Sequence, residues 1–282
     1  KKNNIMSDIE KIINDAWEDR KNISPTSDKK IIDAVNETIN LLDKGKIRVS
    51  EKQNDGSYKV NEWIKKGIML YFRTNGKEII KGPYNYWFDV QGLPGKTVGW
   101  TEDDYKKAGF RAIPNCVIRR GSWVGRNSVI MPNSFINIGA RLGENCMLDT
   151  GARLGSACSV ADNVHVSAGF GIGGVLEPPQ ARPTIIEDGV FLGAMGEALE
   201  GIIIREGAVL ASGCIISQST KIVDRNSGQI TYGEIPPFSV CVPGTLPDKN
   251  NPMSPSLNCI VIIKKVDRRV REKTSLNELL RD

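Results

Sequence analysis

The sequence predicts a mainly β fold, centred on a solenoid of parallel strands, and a six-residue repeat carries this prediction. From residue 116 to residue 225 the chain divides into seventeen blocks of six, interrupted once at residues 176–183. The third place of every block is aliphatic, from Ile118 to Ile222. A period of six does not match the roughly 3.6 residues of a helical turn, but it suits a short strand followed by a corner. Stacked strands of this kind would bury one residue each in a continuous core.

The sixth place of most blocks holds a small or turn-prone residue, which is where corners between strands are expected. Glycine and asparagine adopt positive φ angles at lower cost than other residues. The positions of this kind are Gly121, Asn127, Asn133, Gly139, Asn145, Gly151, Asn163, Gly169, Gly189, Gly201, Gly207 and Gly213. An amyloid-like array is the alternative for a β-rich repeat. Regular corners favour a closed coil, and three blocks per triangular coil would make strands eighteen residues apart neighbours.

Two helices are predicted at the start of the chain. Ser7 and Glu10 fit a capping box that would begin an amphipathic helix running through Trp17. A second helix is predicted from Asp28 to Asp43, and Gly45 would end it.

Strands are predicted to follow these helices and to complete an N-terminal α/β domain over residues 1–112. Alternating segments occur at Lys46–Glu51, Tyr58–Val60 and Ile68–Arg73. A stretch rich in glycine and proline, residues 82–99, also carries aromatic residues typical of strands.

The repeat is predicted to form a second domain over residues 113–225, with one loop at residues 176–183 leaving it. An insertion in a strict repeat tends to mark a binding face, and Gly171, Gly173 and Gly174 beside it could act as hinges. The alternative is a plain surface excursion without function.

A third, smaller domain is predicted over residues 226–282. It would contain a hairpin around Asn226–Gly228, a strand at Leu257–Lys265 and a final helix capped by Ser275 and Glu278. We expect this tail to pack on the open end of the solenoid, where strand edges would otherwise lack partners.

Composition narrows the classes of partner. The formal net charge of +5 is mild and the basic residues are mixed with nearly as many acids, so nucleic acid is not expected, whereas small anions are. No apolar run approaches the roughly 18 residues of a membrane span, and the first residues lack a signal-peptide core. These features predict a cytoplasmic protein without a membrane partner.

Cysteine and histidine usage argues against disulfides and against a metal. The six cysteines form no CxxC pair, which favours free thiols in a reducing compartment over disulfides. His165 is the one histidine of the chain, so a site of three histidines for zinc cannot be built within it. We expect no metal.

Three outward positions of the repeat carry groups that can do acid–base chemistry. Asp149 and His165 should share one face on adjacent coils, with Cβ atoms about 8 Å apart, too far for a simple orienting pair. Glu197 should lie on another face, three coils and about 14 Å away along the axis. Because one subunit cannot easily bring both carboxylates to one substrate, a neighbouring subunit is expected to supply one. His165 is an alternative general base.

Longer motifs identify a family. They include LLDKGKIRVSEK in the first domain, AGFRAIPN at 108–115, NVHVSAGFGIGGVLEPPQARPTIIED at 163–188 and QSTKIVDRNSGQITYGEIPP at 218–237. With these motifs the sequence resembles, nearly end to end, the tetrahydrodipicolinate N-succinyltransferase family of the hexapeptide-repeat acyltransferases. The resemblance implies a left-handed parallel β-helix, a homotrimer with active sites between subunits, and succinyl-CoA as co-substrate in lysine and diaminopimelate synthesis.

The resemblance also implies roles for individual residues. Asp149 matches the aspartate that contacts the substrate amine, Glu197 the active-site glutamate, and Arg111 the arginine that binds a substrate carboxylate. A dicarboxylate suits an arginine fork, and a carboxylate is a plausible base for the amine. We further expect coenzyme A to contact the corner Ser212–Gly213 and Lys221. The alternatives are an N-acyltransferase of the same fold with another acyl-CoA, such as acetyl-CoA, or a catalytically weakened member.

The sequence departs from the family's pattern beside the expected site. Met195-Gly196 stand where the family has Arg-Ser, and Gly151-Ala152-Arg153 where it has Trp-Ala-Thr. An arginine and an aromatic ring are therefore missing. Arg153 is expected on another face, so Arg182 in the loop is the predicted substitute that binds the substrate.

Overall fold

The computed structural model describes residues 2–82, 84–93, 95–251 and 253–281. A helical region comes first, a long parallel β-solenoid follows, and a mixed extension completes the fold. Within the described ranges no helix is long and apolar enough to cross a membrane.

The N-terminal region combines helices with two antiparallel hairpins, β1–β2 and β3–β4. Its elements are α1 (Lys2–Glu18), α2 (Lys29–Asp43), β1 (Ser50–Lys52), β2 (Tyr58–Val60), α3 (Glu62–Thr74), β3 (Lys77–Lys81), β4 (Tyr86–Val90) and α4 (Glu102–Ala108). The helices α1, α2 and α3 pack around Ile13, Ile39 and Ile68, which are fully buried. The strand predicted at Tyr58–Val60 is confirmed, and so is the second helix, which α2 forms with Asp28 as its N-cap.

Three predictions in this region are wrong. The segment Ile68–Arg73 belongs to α3, because its apolar residues continue the spacing of Ile64, Ile68 and Tyr71 that faces the core. Ser7 does not cap α1, since that helix already begins at Lys2. Of the strand predicted at Lys46–Glu51, only its last two residues belong to β1.

The solenoid consists of strands of two residues each separated by corners. They are β5 (Arg111–Ala112), β6 (Val117–Ile118), β7 (Trp123–Val124), β8 (Val129–Ile130), β9 (Phe135–Ile136), β10 (Arg141–Leu142), β11 (Met147–Leu148), β12 (Arg153–Leu154), β13 (Ser159–Val160), β14 (His165–Val166), β15 (Gly171–Ile172), β16 (Ile185–Ile186), β17 (Phe191–Leu192), β18 (Glu197–Ala198), β19 (Ile203–Ile204), β20 (Val209–Leu210) and β21 (Ile215–Ile216).

The extension after the solenoid contains longer strands and two short helices. They are β22 (Lys221–Asp224), β23 (Ile230–Thr231), β24 (Glu234–Ile235), β25 (Ser239–Leu246), β26 (Leu257–Lys265), α5 (Arg268–Lys273) and α6 (Leu276–Leu279). The predicted hairpin (β22–β23), the strand β26 and the capping box of Ser275 and Glu278 are all confirmed.

The strands stack into three parallel sheets, the faces of a triangular coil. Face 1 contains β7, β10, β13, β16, β19 and β24; face 2 contains β5, β8, β11, β14, β17 and β20 and continues into β25, β26, β22 and β23; face 3 contains β6, β9, β12, β15, β18 and β21. Arg141 pairs with Trp123 and with Ser159, which confirms neighbours eighteen residues apart.

The core and the corners follow the repeat as predicted. All seventeen third-place residues, from Ile118 to Ile222, are at most 5% exposed. All twelve predicted corner residues have positive φ angles, between 54° and 83°. Ala157 and Met195, two other sixth-place residues, share this conformation at φ 66° and 58°, although neither residue type favours it.

The helical region and the extension pack on different parts of the coil. Ile138 and Ala157, at corners of the coil, belong to the core formed by α1, α2 and α3. Of the tail expected to pack on the open end of the solenoid, β24 and β25 do so, because they pair with β19 and β20 and extend faces 1 and 2. The final helix α6 does not, since Leu279 packs against Val209 and Val240 on the outer side of face 2. Strand β26 borders the end of face 3 instead, where the Asn258 side chain donates to the carbonyl of Ile215 at 3.0 Å.

Candidate active site

Asp149 and His165 form a contact on face 2. His165 lies in β14 opposite Met147, and Asp149 follows two residues later on the coil below. His165 Nε2 lies 3.4 Å from Asp149 Oδ2, so the prediction that the two are too far apart to interact is wrong. The two side chains lean toward each other across the register offset, which the backbone count did not include.

The surroundings of this pair leave it open to a ligand. The side chains of His165 and Asp149 are 43% and 31% exposed. The ring of Phe191 on the next coil meets the His165 ring edge-on, with centroids 5.4 Å apart. The imidazole is therefore held between an aromatic ring and a carboxylate, with one side facing solvent.

Glu197 lies on face 3, where it forms an ion pair with Arg153. Arg153 pairs in register with Gly171, and Gly171 with Glu197, so the three residues lie one above another on successive coils. Arg153 Nη2 donates to Glu197 Oε1 across the glycine. Arg153 is on a different face from Asp149, as expected, but it is not remote from the site: it contacts the other carboxylate.

Two ladder steps, not three, separate the coils of the two carboxylates. Arg153 follows Asp149 round one corner, and Glu197 lies two pairings above Arg153. The prediction counted whole coils, whereas the blocks of Asp149 and Glu197 are only seven apart, with three blocks to a coil. The separation along the axis is therefore closer to 10 Å than to 14 Å, and the two carboxylates still point from different faces.

A groove runs past Glu197 on face 3. It has a volume of about 290 Å³, and its walls come from Phe135, Arg153, Gly171 and Leu199 beside the glutamate. Glycines at the centre of the groove keep its floor low, because they add no side chains. The groove is open enough for a flexible ligand to lie along the coil.

A column of corner residues separates the two carboxylate groups. Gly169, Met195 and Gly213 follow one another between faces 2 and 3, joined by hydrogen bonds such as Met195 N to the Ala168 carbonyl at 3.0 Å. Met195 is 73% exposed on this column. Its side chain has no charge to offer a ligand, and Arg153 supplies the guanidinium nearest to Glu197.

Arg111 lies on the same face as Asp149. It is exposed in β5, which pairs with β8, and β8 pairs with β11. Two pairings of about 4.8 Å each therefore separate the Arg111 backbone from the coil of Asp149. An arginine side chain can extend over much of that distance toward Asp149.

The loop at residues 176–183 is anchored to the helical region. Lys65 of α3 is fully buried, and its ammonium donates to the carbonyls of Pro178 at 3.0 Å and Ala181 at 2.8 Å. Burial lowers the pKa of Lys65 to about 8. Sequence reasoning missed this lysine, although its place on the apolar side of α3 was a signal.

Arg182 and Leu176 fasten the two ends of the loop. Leu176 packs against the core of the helical region, and Arg182 Nε donates to the carbonyl of Gly201 at 2.9 Å. Arg182 is thus held at the corner formed by Gly201, which lies four residues after Glu197 in the chain. Its predicted contact with substrate requires that the guanidinium reach past this carbonyl.

The residues predicted to bind coenzyme A lie in two places. Ser212 and Gly213 form an exposed corner at the top of the corner column, and a Cβ added at Gly213 would meet nothing within 4 Å. Lys221 lines a separate groove of about 630 Å³ in the extension, together with Lys249 and Leu257. A ligand that spans both places would have to be long.

Comparison with known proteins gives relatives that match along the whole chain. Residues 8–74 match the family described as tetrahydrodipicolinate N-succinyltransferase N-terminal, and residues 183–218 match the hexapeptide repeat of succinyl-transferase. The chain is 54% identical over 278 residues to the 2,3,4,5-tetrahydropyridine-2,6-dicarboxylate N-succinyltransferase of Pelagibacter ubique, covering 98% of this chain and 100% of the relative. It is 55% identical over 282 residues to the enzyme of that name from Agrobacterium fabrum, covering 98% of each.

A solved structure supports the fold. It belongs to a Campylobacter jejuni protein named as a 2,3,4,5-tetrahydropyridine-2-carboxylate N-succinyltransferase, with a TM-score of 0.51 and 17% sequence identity. The match covers 82% of this chain and 62% of that chain. Together with the hexapeptide-repeat match and the stacked parallel sheets, this likeness confirms the predicted left-handed parallel β-helix.

Proposed function

The chain belongs to the tetrahydrodipicolinate N-succinyltransferase family, and we propose that it transfers a succinyl group from succinyl-CoA to the amine of tetrahydrodipicolinate in its open form, L-2-amino-6-oxopimelate. The observation that carries this proposal is the identity of more than half of all residues along the full length of curated relatives with that activity in their name. The reaction belongs to lysine and diaminopimelate synthesis.

The proposed reaction is a direct acyl transfer. The amine nitrogen attacks the thioester carbonyl carbon, the nitrogen–carbon bond forms, and the carbon–sulfur bond breaks. The amine loses one proton to a carboxylate, and the departing thiolate of coenzyme A takes up one proton, so the products are the succinyl amide and free coenzyme A. No oxidant and no metal is needed for this balance.

We assign the protein groups as follows. Asp149 contacts the amine and Arg111 binds one substrate carboxylate, since Arg111 is exposed and Asp149 partly exposed on face 2. Glu197 is the second carboxylate of the site, and one of the two carboxylates accepts the proton. Backbone N–H groups stabilise the oxyanion that forms on the thioester carbonyl. Arg182 is assigned to the second substrate carboxylate.

The proposed active unit is a homotrimer with one site between each pair of subunits. Asp149 and Glu197 project from different faces of the solenoid, so a single chain presents them to two different neighbours. A triangular coil suits threefold packing, in which face 2 of one subunit meets face 3 of the next.

Coenzyme A is proposed to lie along the coil, from the groove beside Glu197 toward the corner Ser212–Gly213 and Lys221. The ammonium of Lys221 would pair with a phosphate of the nucleotide end. The six cysteines are free thiols. That state suits the reducing cytoplasm, which is where we place the enzyme.

A thiol-release assay tests the activity. The purified chain is mixed with succinyl-CoA or acetyl-CoA, with and without tetrahydrodipicolinate, and free coenzyme A thiol is measured. We expect release with succinyl-CoA that depends on the dicarboxylate, and a kcat/KM for acetyl-CoA lower by at least about 10-fold. A preference for acetyl-CoA would identify another N-acyltransferase of this fold. No release with either thioester would identify a weakened family member.

A further inference from the structure

Arg153 and Glu197 form an ion pair that the glycine between them makes possible. On this ladder every coil contributes one outward residue, and the order is Arg153, Gly171 and Glu197. With any side chain at the middle position, the outer two would be kept apart by two coil steps, about 10 Å. The side chains of Arg153 and Glu197 meet because Gly171, at the middle position, has no side chain.

The fit around Gly171 is close. A Cβ built there would overlap the Glu197 carboxylate and would lie 2.9 Å from Arg153 Nη2. Both are the far ends of flexible side chains, and the φ angle of Gly171 is not in the left-handed region. Glycine is therefore not needed here for the backbone; it is needed for the contact.

The guanidinium is fixed at a second point. Arg153 Nη1 donates to the carbonyl of Gly169 at 3.2 Å, on the coil below Met195. A planar guanidinium held at two points directs its carboxylate partner in one orientation. The side chains of Arg153 and Glu197 are 51% and 27% exposed, so the pair borders the groove rather than lying in the core.

We propose that Arg153 is the positioning residue of Glu197, and that Gly171 is the gap through which it acts. Arg153 orients the Glu197 carboxylate over the groove, while the substrate meets Glu197 and not Arg153. This inference rests on the proposed function for its kinetic consequence. Arg153 thereby places a guanidinium beside Glu197 in a chain that has Met195 where the family has an arginine.

The first test is a set of single variants. Arg153→Met lowers kcat about 10-fold, with the KM values for both substrates changed less than about 3-fold, because the contact acts on a reacting group and not on binding. Arg153→Lys recovers part of kcat. Gly171→Ala reproduces most of the Arg153→Met loss with an unchanged Tm, since the added methyl displaces only side-chain ends.

Arg141→Met is the matched control. Arg141 lies in the same place of an identical ARLG motif twelve residues and two corners earlier, on face 1, where it stacks on Trp123 at 3.6 Å. We expect its kcat and both KM values to stay at the wild-type level. An equal kcat loss in this control would mean that any arginine loss on the coil weakens the enzyme, and the proposal would fall.

A double-mutant cycle separates positioning from substrate binding. In a Glu197→Gln background, Arg153→Met is expected to cause no further loss, because the group that Arg153 positions is already neutral. If the kcat losses of the two single variants multiply in the double variant, or if Arg153→Met alone raises the KM for the dicarboxylate, Arg153 binds the substrate itself. Either result would overturn the proposal.

A crystal structure reads the contact independently of activity. The wild-type chain should show Arg153 bonded to Glu197 across Gly171, and Gly171→Ala should show the two side chains apart. A Glu197 carboxylate turned away from Arg153 in the wild type would overturn the proposal even in an active enzyme. Absence of thiol release with the contact intact would instead reject only the proposed function.

Discussion

At the scale of single residues, buried Lys65 gives the molecule a pH dependence whose sign can be worked out. Burial lowers its pKa from 10.5 to about 8. Below about pH 8 the lysine is charged in both the folded and the unfolded chain, and the folded chain bears the full cost of the buried charge. Between about pH 8 and 10.5 the unfolded chain holds a proton that the folded chain has released, so stability rises with pH.

We therefore predict that the advantage of the wild type over Lys65→Met grows with pH. The difference between their free energies of unfolding should shift in favour of the wild type by about 2 to 3 kcal/mol between pH 7 and pH 10. Urea denaturation at both pH values measures it. Lys66→Met, which removes a lysine bonded to Asn14, is the control and should show no such shift. A constant difference for Lys65→Met would mean that Lys65 keeps its proton throughout.

The buried cysteines of the coil have no role in the proposed chemistry. Burial raises the pKa of Cys146 to about 11, and burial also raises the pKa values of Cys158 and Cys214. Thiols of this kind stay protonated and unreactive near neutral pH. They fill the core of the coil as small apolar residues.

At the scale of elements, the corners of the coil show where this sequence carries backbone strain. Met195 has a φ angle of 58°, which is unfavourable for methionine. Because Met195 is 73% exposed, burial of its side chain does little to offset this strain. We predict that Met195→Asn raises the free energy of unfolding by about 1 kcal/mol. Asn163→Met, the reverse change at a corner of φ 57°, should lower it by a similar amount. Equal stabilities in urea denaturation would contradict this explanation.

How well each element could be predicted depended on how strictly its pattern is spaced. The coil was predictable residue by residue, because one aliphatic place and one corner place recur through all seventeen blocks. The segment Ile68–Arg73 was not, since six residues cannot distinguish an alternating strand from the end of a helix. Its helix becomes clear only when Ile64 is included.

The faces on which the candidate site residues lie were predictable, and their contacts less so. The positions of Asp149 and Glu197 on different faces follow from the block count. The contacts of Asp149 with His165 and of Glu197 with Arg153 do not, because they depend on side chains that cross the ladder. The anchoring of the loop by Lys65 joins residues more than 110 positions apart in the chain, and no local pattern encodes it.

At the scale of the whole molecule, the geometry of the coil supports the proposal that one chain does not suffice for catalysis. Faces 2 and 3 each carry one of the two candidate-site carboxylates, while the helical region packs against the corners at Ile138 and Ala157. Face 3 and the part of face 2 not covered by α6 at Val209 therefore remain for a neighbouring subunit and for the ligands between them. A site shared in this way ties activity to assembly.

The most direct measurement of this claim is the activity of mixed trimers. Asp149→Asn and Glu197→Gln subunits, each expected to lose about 100-fold or more in kcat by itself, are unfolded, combined in equal amounts and refolded together, and trimers are confirmed by mass. If each site takes one carboxylate from each of two subunits, random assembly restores about one quarter of the wild-type sites, and thiol release should recover to about that level. Mixed trimers with no more activity than the separate variants would contradict a shared site and would place both carboxylates in the same subunit's reaction.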